Sequence, residues 1–232
     1  MSPNYYAEKL AGERLRLVYE IAPPRVRRYL EAEIGFALSR MRRGDAVLEL
    51  GCGYGRVLAR LAEKAGRAVG IDTAVESLSL ARRLAPPGRD CEIVAMNALD
   101  LGFGEGEFDC TVCVQNGVAA FGVDRERLVD EAHRVTRPGG LVLLSTYDAR
   151  FWPERLAWFE AQSRAGLLGP IDRGRTGGGV IVCEDGFRAG TLSPEELRAL
   201  GARGGADPEI VEVDGSSVFC VIERAGTRKG ST

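Results

Sequence analysis

The residues best placed to do chemistry in this sequence are Leu48-Glu49-Leu50-Gly51-Cys52-Gly53-Tyr54-Gly55-Arg56. An apolar run passes into glycines at alternate positions and then into a helical pattern, the local grammar of a backbone site for a nucleotide-like ligand. Gly51, Gly53 and Gly55 admit dihedrals closed to other residues and let a ligand approach the main chain with no Cβ in the way. A dinucleotide fingerprint asks for glycine at its first, third and sixth positions, which here fall on Gly51, Gly53 and Arg56, so the last requirement is unmet. A carboxylate, Glu49, instead stands two residues ahead of the first glycine. Asp72 closes the next apolar run, a position from which a carboxylate can accept both hydroxyls of a ribose.

Other reactive residues carry less. His133 is the only histidine; it falls mid-helix and reads as solvent-facing or structural. Cys110 and Cys113 mimic a metal or redox pair, but a strand turns side chains three apart to opposite faces. The six cysteines (Cys52, Cys91, Cys110, Cys113, Cys183 and Cys220) are scattered without the spacing of a disulfide framework, so reduced thiols and no metal site are expected. Arg25, Arg27, Arg28, Arg40, Arg42 and Arg43 lie among glutamates and read as a solvated helix surface. The net charge of −2 exerts no general pull on nucleic acid or an anionic membrane. No window approaches the roughly 20 apolar residues of a membrane span, and the start lacks an apolar leader core. A cytoplasmic protein with neither nucleic-acid nor membrane partners is expected.

These candidates need a scaffold. Short β-branched runs alternate with longer helical patterns, which implies βαβ units and a parallel sheet. Strands are expected at 46–50, 68–72, 91–97, 108–116 and 140–147. An amphipathic helix bearing Leu128, Val129, Ala132 and Val135 on one face precedes the last of these, and Arg137-Pro138-Gly139-Gly140 is expected to end it and turn the chain. Ser193-Pro194-Glu195-Glu196 reads as a capping box that starts a helix. The runs 208–215 and 216–225 follow with almost no linker and should pair as an antiparallel hairpin at the sheet edge. Val26, Leu30, Ala37 and Met41 mark an N-terminal helix begun by Pro23-Pro24. Residues 148–192 hold Phe151, Trp152, Trp158 and Phe159, a short apolar run at 180–183 and the run Gly177-Gly178-Gly179, a hinge or a plain loop.

The fold class expected from this pattern is a doubly wound, Rossmann-like α/β domain. Its mostly parallel sheet has seven strands, an antiparallel C-terminal hairpin and helices on both faces. The 232 residues suit a single domain. It divides into an N-terminal helical cap (1–43), a cofactor core (44–147), a lid or insert (148–192), a final helix and hairpin (193–225) and a frayed tail (226–232).

Glu49-x-Gly51-x-Gly53-x-Gly55, the acidic end of the second strand, Asn97-Ala98-Leu99-Asp100-Leu101-Gly102-Phe103 with Phe108-Asp109, and Glu131 to Gly140 come in one order. In that order they resemble the class I S-adenosylmethionine-dependent methyltransferases. The resemblance implies that Glu49, Gly51, Cys52, Gly53, Gly55, Asp72, Thr73, Asn97, Ala98 and Gln115 bind S-adenosylmethionine. Asn97 stands where the family commonly has aspartate, keeping an acceptor for adenine without the charge. The resemblance further implies in-line methyl transfer, and a mostly apolar lining from Tyr5, Tyr6, Phe151 and Trp152 would favour a small-molecule acceptor over a polymer. Tyr5, Tyr6, Asn116, Tyr147 and Trp152 are candidates to meet that acceptor, under a roof of the N-terminal segment and residues 148–192. No catalytic base is assigned; Asn116, Tyr147 and Asp148 are candidates by location only. An RNA or protein methyltransferase, a non-catalytic S-adenosylmethionine-binding protein and a Rossmann oxidoreductase are the alternatives. Against nucleic acid, the fourth strand ends Gln115-Asn116-Gly117-Val118, without the Pro-Pro-aromatic motif of amino-base methyltransferases.

Overall fold

The computed structural model describes residues 5–85, 91–120 and 122–225; the tail expected to fray from Gly226 lies outside them. Among the described residues, the main sheet holds β1 (Ala46–Leu50), β2 (Arg67–Asp72), β3 (Cys91–Ala95), β4 (Phe108–Cys113), β5 (Thr136–Tyr147), β8 (Glu209–Val213) and β9 (Ser217–Glu223). Their spatial order is β3-β2-β1-β4-β5-β9-β8. β3, β2, β1, β4 and β5 run parallel; β9 lies antiparallel to both β5 and β8. The order reverses between β1 and β4, the switch point outside which ligands bind in open α/β sheets.

Strand alternation distributes the core. Leu48 and Leu50 face one way, joining Ile71, Val142 and Leu144 under α7 (Arg125–Val135) and α9 (Pro194–Gly201). Val47 faces the other way, packing with Val112 and Leu143 against Ile34 of α3 (Pro24–Arg40) and Leu61 of α4 (Arg56–Leu61). Each such fully buried aliphatic side chain contributes roughly 1.5 to 3 kcal/mol by leaving water. Cys110 and Cys113 fall in these opposite clusters, as strand geometry requires. The capping box at Ser193 and Glu196 is present. Asp214 and Gly215, both with positive φ, and Ser216, whose N–H donates to Val213 O at 3.1 Å, form the three-residue turn between the paired Val213 and Ser217 of the β8–β9 hairpin.

Two strand boundaries differ most from expectation. β5 begins at Thr136, so Arg137 to Gly140 extend it instead of preceding it. Tertiary pairing overrides the turn signal: Thr136 pairs with Phe108, a register shift absorbs the irregularity, and Gly139 N–H donates to Arg224 O at 2.7 Å. β4 stops at Cys113, short of 116, because Gln115 and Asn116 both adopt left-handed backbone, with φ of 57° and 64°. Such φ values are uncommon outside glycine, and two in succession are strain that the surroundings must hold.

The N-terminal region contains α1 (Tyr5–Lys9) and α2 (Gly12–Glu20) in addition to the expected α3. The basic residues of α3 lie at the surface, as expected, and several also tie it to neighbouring segments. Arg25 and Arg28 bind Asp214 in the hairpin turn, Arg40 pairs with Glu209, and Arg27 donates to the carbonyls of Glu20 and Ala22. Beyond β5, α8 (Trp152–Arg164) leads to a two-stranded ribbon of β6 (Ile181–Val182) and β7 (Arg188–Ala189). α1, α2, α8 and this ribbon share a third core containing Tyr5, Tyr29, Trp158, Phe159, Ile181 and Phe187. Arg155, 1 % exposed, donates to Gly179 O and Ala189 O at 2.8 and 3.0 Å, with its guanidinium over the Tyr147 ring. The glycine run at 177–179 is thereby held as a tight turn by reciprocal hydrogen bonds between Gly177 and Val180 and by Arg155.

Candidate functional site

A cavity of about 340 Å³ opens at the carboxyl ends of β1, β2 and β4, within the size range of small-molecule sites. Its floor is the turn after β1. Gly51 and Gly53 take φ of 76° and 54°, and the Gly51 and Cys52 N–H groups both donate to Ile71 O at 2.9 Å, locking the turn to β2. A Cβ on Gly53 would also meet Leu15 Cδ2 at 3.0 Å. Gly55 lies outside the cavity lining; with φ of 85° it caps α4, and a Cβ there would stand 3.3 Å from Ala81 Cβ.

Asp72 is fixed by the same turn. Its Oδ2 accepts from Gly53 N–H at 2.9 Å and its Oδ1 from Ala74 N–H at 2.8 Å. Each carboxylate oxygen keeps a second lone pair for a ligand, now in a fixed direction. Thr73 and Ala98 line the same cavity, as does Asn97, whose Oδ1 accepts from Leu99 N–H at 2.9 Å.

Glu49 and Arg56 line the same cavity. Glu49 is 4 % exposed and its Oε2 has no hydrogen-bond partner. Burial pushes its carboxyl up to about 8, against the opposing pull of Arg56. Arg56 lines the cavity with its guanidinium 4.8 Å from the centre of the Tyr19 ring, and its Nε and one terminal nitrogen are buried without a partner. Desolvated polar atoms left unmade cost roughly 1 to 3 kcal/mol each, more when charged, so a cluster of them in one cavity marks a place for a ligand of complementary charge.

Gln115 also lines the cavity, and its Nε2 is likewise buried and unpartnered. Its strained backbone is held from behind by Glu33 of α3, which is fully buried. Glu33 Oε2 accepts from Gln115 N–H and Oε1 from Ser217 Oγ, each at 2.7 Å. Asn116 points away from the cavity lining: its Nδ2 donates to Gly190 O at 3.0 Å and its Oδ1 accepts from Thr146 Oγ1 at 2.9 Å.

The remaining acceptor candidates divide. Tyr6 lines the cavity together with Leu10, Leu15 and Tyr19, so α1, α2 and the link between them form its wall. Tyr5 instead packs on Phe187 and donates to Asp185 Oδ2 at 2.5 Å. Tyr147 lies against Tyr29 and Arg155, and Trp152 packs at the edge of the third core. None of the lining residues comes from 148–192. The expected shared roof is therefore corrected: the insert packs behind the N-terminal wall, where Trp158 Nε1 donates to Val18 O at 3.0 Å. Asp148 is neutralised by Arg150, at 2.9 and 2.5 Å. His133 is half-buried on α7, away from the cavity, and burial pulls its pKa down. Among the described residues no His, Cys, Asp and Glu group could hold a metal ion, and no cysteine is in a disulfide.

Sequence reasoning missed Arg56, Tyr19 and Glu33. Arg56 was visible only as a missing glycine. Glu33 did leave a signal, because it falls on the apolar stripe of α3 between Leu30 and Ala37, at helical spacing from both.

The chain is similar to known proteins. Residues 47–140 match a family model described as a methyltransferase domain. A 2-methyl-6-phytyl-1,4-hydroquinone methyltransferase of Synechocystis sp. is 26 % identical over 148 residues, covering 60 % of this chain and 46 % of that protein. The 2-phytyl-1,4-beta-naphthoquinone methyltransferase of Arabidopsis thaliana is 35 % identical over 118 residues, covering 47 % and 44 %. The chain thus matches a little under half the length of these two relatives. Among solved structures, the N-methyltransferase NodS of Bradyrhizobium japonicum WM9, in complex with S-adenosylhomocysteine, superposes with a TM-score of 0.65 at 17 % identity, over 97 % of this chain and all of that one. Residues 47–140 thus resemble a methyltransferase domain, and the chain shares the fold of that solved N-methyltransferase, with its glycine turn and cavity at the switch point of the sheet.

Proposed function

We propose that this protein transfers the methyl group of S-adenosylmethionine to a small organic acceptor. The observation that carries the reading is the polar complement of the cavity. Glu49, Arg56, Asp72 and Asn97 line one enclosed space with the glycine turn, and partner-free atoms of Glu49 and Arg56 stand at its amino-acid end. Such a set suits an adenosyl ligand that ends in an ammonium and a carboxylate. In this reading Asp72 meets the ribose hydroxyls, Asn97 and Ala98 border the adenine, and Glu49, Gly51, Cys52 and Gly53 hold the methionine end.

When bound, S-adenosylmethionine supplies a methyl already activated by its sulfonium charge. The protein then chiefly has to align the acceptor in line and exclude water. Tyr6, Leu10 and Tyr19 serve that end as a largely apolar wall, and Gln115 offers a donor to the acceptor. This enclosure supports a small molecule over a polymer. So do the two relatives named for phytyl quinones. A division into cap, core, insert and C-terminal hairpin, and a cytoplasmic location, complete the proposal. Among the described residues no helix is long and apolar enough to cross a membrane.

Titration calorimetry with S-adenosylmethionine, S-adenosylhomocysteine and NAD tests the cofactor; binding of both adenosyl ligands and not NAD is expected. NAD binding with no response to either adenosyl ligand overturns the proposal. Release of S-adenosylhomocysteine against a panel of hydroquinones, phenols and amines then tests the acceptor class, and turnover on RNA or a protein alone overturns the small-molecule reading.

A further inference from the structure

Glu33 is a charged side chain in a place that asks for an apolar one. It lies on the buried stripe of α3 with Leu30, Ile34 and Ala37, and none of it reaches solvent. Taking a carboxyl out of water is costly unless hydrogen bonds replace the lost solvation, and an aliphatic side chain of similar size would fill the space without that cost. Its partners show what the carboxyl does instead. Oε2 accepts from Gln115 N–H and Oε1 from Ser217 Oγ, each at 2.7 Å.

The Gln115 N–H needs such an acceptor. β4 has ended at Cys113, and residues 115 and 116 both turn left-handed, so the strand ladder no longer answers it. Other contacts hold the residues on either side. Gly117 N–H donates to Val114 O, the Ala119 and Ala120 N–H groups donate to Asn116 O, and the Asn116 amide is clamped between Gly190 O and Thr146 Oγ1. The contact from Glu33 is made to Gln115 itself. At the far end of that residue the amide nitrogen is buried, unpartnered and part of the cavity lining. A small rotation of the Gln115 peptide is carried to the end of this long side chain, and a displacement of about 1 Å there is enough to spoil a productive contact.

Resting on the methyltransferase reading and deepening it, we propose that Glu33 is a positioning residue for the methyl acceptor. It lies outside the cavity lining and acts through Gln115. By gripping the Gln115 N–H it aims the Gln115 amide at a lone pair of the acceptor, such as a phenol or hydroquinone oxygen. Ser217, the first residue of β9, holds the other oxygen of the carboxyl and so fixes its orientation. Glu33 thereby governs how the acceptor is oriented, not how tightly the adenosyl ligand is held.

Steady-state kinetics and titration calorimetry on a cycle of variants test this, with each hydroquinone, phenol or amine that the parent methylates as the acceptor. Glu33→Leu keeps the volume and removes the hydrogen-bond acceptor. Its kcat/KM for the methyl acceptor is expected to fall about tenfold or more, with S-adenosylhomocysteine affinity within about twofold of the parent's. Glu33→Gln is expected to recover most of the loss, because its amide oxygen can still accept from Gln115 N–H while the Ser217 hydroxyl turns to accept from its amide nitrogen. Gln115→Ala should lose as much as Glu33→Leu, and adding Glu33→Leu to Gln115→Ala should cost no more than about a further twofold. An equal loss from Glu33→Leu with and without the Gln115 amide overturns the inference, the mark of a merely structural role. So does a matching loss of S-adenosylhomocysteine affinity, or undiminished turnover. If Glu33→Leu fails to fold, Glu33→Asp, one methylene too short to hold both partners, is put through the same cycle. A loss confined to proteins that retain the Gln115 amide supports the inference; a loss indifferent to that amide, or none, overturns it. A parent protein that binds S-adenosylhomocysteine yet methylates none of the panel removes the small-molecule reading and this inference with it, a result separate from any failure of Glu33.

Discussion

Glu33 and Glu49 are both buried glutamates near the carboxyl edge of the sheet, yet their surroundings are opposite. Glu33, on α3, accepts from a backbone N–H and a serine hydroxyl that have nowhere else to turn. Glu49, on β1, has an oxygen that accepts from nothing. Burial raises both carboxyls, Glu33 to about 7 and Glu49 to about 8. A perturbed pKa alone would nominate the two equally as functional groups. The hydrogen-bond inventory separates them: the satisfied carboxyl organises the fold behind the cavity, and the other lines the cavity with an open acceptor. The same contrast divides the arginines, with Arg155 answered by the carbonyls of Gly179 and Ala189 and Arg56 left open.

The sharpest way to break this comparison is to remove Glu33. Glu33→Ala strips the acceptor from the Gln115 N–H and the Ser217 hydroxyl and leaves a cavity besides, so a loss of about 4 kcal/mol of stability is expected. Glu49→Gln at pH 5 should change stability by less than about 1 kcal/mol, since it replaces a neutral carboxyl by a neutral amide. Urea denaturation of both variants decides; equal losses would erase the distinction.

A second test uses pH. The unfolded chain releases the Glu49 proton near the ordinary glutamate value of about 4.5, whereas the folded protein holds it to about 8. Between those values the native state binds more protons, so this group's contribution to stability is full at low pH and falls as pH rises through the window. A decline on the order of 3 kcal/mol between pH 5 and 8 is expected from Glu49. Glu49→Gln should abolish that part and leave the shallower decline from Glu33. Denaturation midpoints that run parallel for parent and variant across the range would refute the assignment.

Asp72 sharpens the comparison from between the two extremes, because it is tied by two backbone N–H groups and still borders the cavity. Asp72→Ala is expected to weaken S-adenosylhomocysteine binding by about 2 kcal/mol, or roughly thirtyfold, through loss of charge-assisted hydrogen bonds. Asn97→Asp, which keeps the oxygen that accepts from Leu99 N–H, should stay within about 0.5 kcal/mol of the parent. Calorimetry that reverses this order would move the ribose site elsewhere.

Much of the architecture was legible because buried parallel strands write themselves as unbroken Val, Ile and Leu runs, and because glycine at 51, 53 and 55 announces a turn of left-handed backbone, the conformation all three adopt. What escaped notice depends on contacts distant in sequence. Arg137 to Gly140 have the composition of a turn, and their pairing partners, Phe108 and Arg224, are remote. α1 and α2 are too short to declare themselves by periodicity; α1 is held by Phe187 and α2 by Trp158. The cavity edge supplied by the glycine turn and Asp72 was readable. The wall made by Tyr6, Leu10 and Tyr19 emerged only when the N-terminal segment was seen folded over it.

The paired left-handed residues at the end of β4 tie the evolution of two segments together. Gln115 reaches the ligand space, while Asn116, its neighbour, is clamped to Gly190; Thr146, which binds Asn116, also receives the Leu192 N–H. The end of the 148–192 segment therefore acts as a remote adjuster of Gln115. Changes in its length or anchoring are expected to re-aim that amide without altering any residue that lines the cavity. Grafting a relative's segment between Tyr147 and Ser193 should thus shift acceptor preference while leaving S-adenosylhomocysteine affinity in place, a separation that paired turnover and calorimetric measurements on the chimera would reveal or deny.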